Sequence, residues 1–76
     1  MTLDKHKLEG IEQITEKILP VDDFEKRLKK AGYQRIGEAP AKGNRLKIWW
    51  RHETYRRIEA IYSGDGRIAI TAYHVA

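Results

Sequence analysis

The sequence predicts an α+β fold: two N-terminal helices packed on a three- to four-stranded antiparallel β-meander. Three observations predict it. Up to position 31 the apolar residues recur at helical spacing. From Tyr33 onward they alternate with polar residues at a period of two. The stretches between the alternating runs, PAKGN, ET and SGDG, are short, as hairpin loops are. The 76 residues form one small domain, 1–76, with room for a single modest core.

The first helix is expected over 4–19, DKHKLEGIEQITEKIL. Leu8, Ile11, Ile14, Ile18 and Leu19 share one side of it, and Pro20 ends it. Gly10 lies on its polar side and weakens it by about 1 kcal/mol relative to alanine. The second helix, VDDFEKRLKKAGY, is better punctuated. Asp22 and Glu25 have the spacing of a capping box. Phe24, Leu28 and Ala31 share a face. Gly32 suits the left-handed position after the last turn, where Tyr33 can close the helix end.

Four strands follow: 33–39, 45–52, 55–62 and 67–75. In the second, Leu46, Ile48 and Trp50 alternate with Arg45, Lys47, Trp49 and Arg51. The even row belongs to the core and the odd row to the open face. Extending this puts Ile58, Ala60, Tyr62, Ile68, Ile70 and Ala72 inward. The open face then carries Lys47, Trp49, Arg51, Tyr55, Arg57, Arg67, Thr71 and Tyr73. The SGDG turn leaves two registers open. A two-residue turn at Asp65-Gly66 pairs Ile61 with Ile70, whereas a bulge or longer loop keeps Ile58, Ala60 and Tyr62 on the face of Ile68, Ile70 and Ala72; a one-residue slip exchanges the faces.

Charge sharpens the functional reading. Residues 1–40 hold eight basic and eight acidic groups, while residues 41–76 hold seven and three, so the second half carries the whole net charge of +4. The second half also favours arginine, whose planar fork grips phosphate and stacks on rings. Over 42–57, six cations face one acid, Glu53. A basic face interleaved with aromatic rings points to nucleic acid, and exposed rings point to RNA or single strands, because stacking needs unstacked bases. The expected contacts are Lys42, Arg45, Lys47, Trp49, Arg51, Tyr55, Arg56, Arg57, Arg67 and Tyr73.

Two other readings compete. A protein-interaction or inhibitor module would present the same Trp, Tyr and Arg residues to an acidic protein partner. The last strand would offer it a dimerisation edge. A helix-turn-helix, formed by 4–31 with its short Leu19-Pro20-Val21 link, would bind duplex DNA. Against that, the second helix starts with Asp22, Asp23 and Glu25, which repel phosphate.

Enzymatic chemistry is not expected. The chain has no cysteine, P-loop, dinucleotide fingerprint or nucleophile elbow. His6, His52 and His74 lack the spacing of a metal site, so no metal or cofactor is expected. No apolar run reaches the length of a membrane span, and the first ten residues hold no signal core, so a cytoplasmic protein is expected.

The segment FEKRLKKAGY, followed by a strand, a glycine-containing turn and further strands, resembles the HicA toxin family over residues 23–50. That resemblance implies a helix-then-three-strand, double-stranded-RNA-binding-like fold and mRNA cleavage. The family's catalytic histidine follows a Gly-Ser pair in the first turn. The corresponding turn here, Lys42-Gly43-Asn44-Arg45, has no histidine.

Overall fold

The computed structural model describes residues 2–75. After a short 3₁₀ turn (Leu3–Lys5) come β1 (Leu19–Pro20), α1 (Val21–Lys30), β2 (Gln34–Ala41), β3 (Arg45–Arg51), β4 (Ile58–Ser63) and β5 (Ile68–His74). The strands form one antiparallel sheet in the order β1-β5-β4-β3-β2.

The expected pair of N-terminal helices is therefore replaced by a single helix, and the sheet has five strands where three or four were expected. The first helix is absent where Gly10 meets Tyr55. Gly10, in what would be its interior, has φ +80, and a Cβ there would lie 2.5 Å from Cε2 of Tyr55. Residues 6–18 instead run as an irregular arm. Leu8, Ile11 and Ile14 are buried along it, but Ile18, expected on the apolar side, is 51% exposed. Pro20 ends no helix. It sits in β1, opposite Ile68, and directly precedes α1.

Helix α1 begins at Val21 and no side chain caps it. Asp22 and Asp23 lie in its first turn, where they suit the dipole. Glu25, expected in the capping box, instead accepts from the Tyr62 hydroxyl at 2.9 Å and pairs with Arg35. At the C-terminus the amide of Gly32 donates to the Lys29 carbonyl and that of Tyr33 to Leu28, with Gly32 at φ +98. This double bond pattern is a Schellman motif, and it swings the chain from α1 into β2.

The core is set by the even row of β3 and β4. Ile48, Trp50, Ile58 and Ala60 have no exposed surface, and they pack with Phe24 and Leu28 of α1 and with Leu3, Leu8, Ile11 and Ile14 of the N-terminal segment. Phe24 meets Tyr62 edge to face at 6.0 Å. Each such side chain contributes roughly 1.5–3 kcal/mol through burial.

Both registers considered for SGDG occur. Tyr62 pairs with Ala69, as a tight turn requires, and Ile61 then pairs with Thr71 and Ala60 with Ala72. A bulge at Ile70 absorbs the difference. Ala69, Thr71 and Ala72 are therefore the buried residues of β5; Thr71, expected on the open face, is covered by the N-terminal segment, where its hydroxyl donates to the Thr2 carbonyl, and Ile68 and Ile70, expected inside, are only half-buried. The turn is held by the Gly66 amide bonded to the Ser63 carbonyl, and by Asp65, which accepts from the Ser63 hydroxyl and the Arg67 amide.

Candidate nucleic-acid interface

The odd rows of β3, β4 and β5 face away from α1. Register places Trp49 beside Glu59 and Glu59 beside Tyr73. The indole N–H of Trp49 donates to Oε1 of Glu59 at 3.0 Å, and the Tyr73 hydroxyl donates to Oε2. Lys47 Nζ lies 4.0 Å from the same oxygen. One half-buried carboxylate therefore fixes two rings and a cation on the open face.

The titration of this cluster follows from its geometry. Burial raises the Glu59 pKa, but the hydrogen bonds from Tyr73 and Trp49 and the charge of Lys47 outweigh it, leaving the carboxyl below its ordinary value. Tyr73 is pushed up to about 12, first because its proton is held by Glu59, then by burial and the neighbouring charge. At neutral pH the cluster is a carboxylate held by two neutral rings and an ammonium.

Trp49 lies over Gly37 of β2, close enough for Cε3 to meet a Cβ added there at 3.6 Å. A larger residue at 37 would stand against the ring. Trp50, next in sequence, points the other way and is fully buried.

Of the residues expected to bind, the structure joins Lys47, Trp49 and Tyr73 through Glu59, which is not among the expected contacts. Its position in the odd row of β4 was the available signal. Lys42 and Arg45 lie by the β2–β3 turn, at the same end as the SGDG turn and Arg67, because Arg45 pairs with Ser63. Arg51, Arg56 and Arg57 lie toward the other end, where Arg51 donates to Gln34. These six cations are exposed; Arg67 sits beside the Asp65 carboxylate, and the other five have no acidic partner among the described residues. The ion pairs of Arg27, Lys29 and Arg35 with Glu16, Asp23, Glu25 and Glu38 neutralise the helix side instead.

Tyr55 does not join the open face. The strand expected from 55 begins at Ile58, and Tyr55 sits in the preceding loop, against the core. It stacks on Tyr33 at 6.4 Å and packs on His52 at 4.6 Å. Its ring lies against Gly10 of the arm, where a Cβ would come within 2.5 Å of Cε2.

Compared with known protein families, curated proteins and solved structures, the chain matches none.

Two histidines, expected to be ordinary surface residues, connect distant backbone. His52 Nδ1 accepts from the Thr54 amide at 2.9 Å, so Nε2 carries the hydrogen and donates to the Ala31 carbonyl at 2.8 Å. This ties the 52–57 loop to the end of α1. His74 does the same for the arm, through Glu9 and Arg56. Neither ring has a nitrogen to spare for a metal, and among the described residues no three potential ligands gather.

The expected helix-turn-helix is ruled out by the absence of its first helix. The edge expected on the last strand is only partly covered, because β1 pairs with β5 at Ile68 and Ala69 alone. The opposite edge is β2, where the chain bulges at Ile36 and carries Pro40. Bulges and prolines blunt an edge against pairing. No helix among the described residues is long and apolar enough to cross a membrane.

Proposed function

We propose that the protein binds single-stranded nucleic acid, RNA foremost, on the open face of its sheet. The observation that carries this reading is the Trp49–Glu59–Tyr73 cluster, which holds two rings on one face between two groups of exposed cations. Each polar ring atom is occupied by Glu59, so the rings offer their apolar surfaces. Stacking of a base on such a ring is worth about 1–3 kcal/mol and tolerates sequence variation. Arg45, Arg51 and Arg57 serve phosphates on either side, and bidentate geometry makes arginine suited to this. Glu59 opposes phosphate directly above the cluster, which favours a bound strand whose bases, and not its backbone, cross the centre.

A second reading keeps the same cations for an acidic protein partner. Ile36, 44% exposed at the β2 bulge, favours it, because an apolar side chain at a free edge suits a protein contact.

Tryptophan fluorescence quenching by oligouridylate, single-stranded DNA and duplex DNA, across a salt series, tests the proposal. Quenching by single strands with a log-linear loss of affinity in salt supports it. Absence of quenching by any of the three at low salt contradicts it.

A further inference from the structure

We propose a phosphate-binding cleft at the end of β5, built by Lys7, Arg56, His6, Tyr73 and His74, that holds a phosphodiester of the bound strand. The proposal rests on the open-face reading and extends it to a second subsite. The cleft measures about 410 Å³, and among the described residues no acidic side chain lines it. The other clefts differ in this respect. The one between the arm and α1 contains Glu12 and Glu16 beside Arg27 and Lys30, and the one beside Gly32 sets Glu53 against Arg51.

Lys7 and Arg56 are exposed and have no acidic partner among the described residues. They come from distant segments, and His74 joins those segments. The amide of Glu9, two residues after Lys7, donates to His74 Nε2 at 3.0 Å, so the ring hydrogen resides on Nδ1 and is donated to the carbonyl of Arg56 at 2.9 Å. His74 thus spends both nitrogens on backbone and acts as a positioning residue. The two cations remain for the ligand. His6 packs edge-on against Tyr73 at 5.8 Å and closes one wall.

The location links the cleft to the proposed stacking surface. Tyr73 pairs with Glu59 and faces the open side, while His74 pairs with buried Ile58 and faces the core. The cleft therefore wraps the edge of β5 beyond β1, and Tyr73 belongs both to it and to the ring cluster. A strand stacked on Trp49 and Tyr73 would reach it with its next phosphate. Lysine supplies a point charge there and arginine a planar fork.

The test uses the full chain and a Lys7→Gln/Arg56→Gln double variant, with inorganic phosphate and oligouridylate as probes. Phosphate should shift the backbone amides of Lys7, Glu9 and Arg56 saturably in the wild type and not in the variant. The variant should bind oligouridylate about tenfold more weakly, with a salt slope lower by about two, one for each lost phosphate contact. Unchanged affinity and slope, with Trp49 still quenched, would overturn the cleft and leave the open face standing. Saturable phosphate shifts without quenching at Trp49 would support the cleft and overturn the open face. If the double variant fails to fold, Lys7→Gln alone decides the matter through a slope lower by about one.

Discussion

The indole N–H of Trp49 and the carboxylate of Glu59 meet across neighbouring strands at 3.0 Å. The ring is thereby fixed in orientation. The bond is charge-assisted, and hydrogen bonds to charged groups contribute about 1.5–3 kcal/mol.

Stability in acid depends on this carboxylate. Glu59 titrates below its ordinary value in the folded chain, so its contribution is present above that ordinary value and is lost as pH falls through the folded one. Chemical unfolding followed downward from neutral pH should show the wild type losing more stability than Glu59→Gln. Parallel curves for the two proteins would contradict the anchoring role.

The adjacent tryptophans should separate by stability. Trp50 is fully buried, so Trp50→Ala should cost about 3–5 kcal/mol. Trp49→Ala should cost less, about 1.5–3 kcal/mol from the lost bond to Glu59. Denaturant titration of both variants checks the order, and a larger loss at 49 would mean that the faces are exchanged.

Gly10 distinguishes the arm from a helix. In a helix, Gly10→Ala would stabilise by about 1 kcal/mol. In the observed arm, φ is +80 and the new Cβ would meet Tyr55 at 2.5 Å. The variant should therefore be destabilised by more than about 1 kcal/mol, since alanine at such a position is strained. A rise in melting temperature would argue that residues 4–19 are helical after all.

Much of the fold was legible where the signals are local. Gly32 and Tyr33 end α1 through bonds within one turn, and the Leu46-Ile48-Trp50 row declares its own face. The arm was not legible. Leu8, Ile11 and Ile14 are spaced by three, which fits a helix, yet the same spacing serves a chain that dips repeatedly into a core. What decides is the φ of Gly10 and the ring of Tyr55, 45 residues away in sequence, and periodicity carries neither. The bulge at Ile70 is similar. Tight-turn geometry and the packing of Ala60 on Ala72 require different registers, and only one extra residue satisfies both. Within the site, Trp49 and Tyr73 were visible from alternation. Their shared dependence on Glu59 required the register of three strands at once.

The central claim is that the Trp49 ring is a binding surface. It is tested most directly by following the two indole N–H resonances as oligouridylate is added to isotope-labelled protein. The account predicts a saturable shift of the Trp49 resonance, accompanied by the Tyr73 ring, while buried Trp50 stays unmoved. A Trp49 resonance that does not move at any oligonucleotide concentration, at low salt, would contradict it.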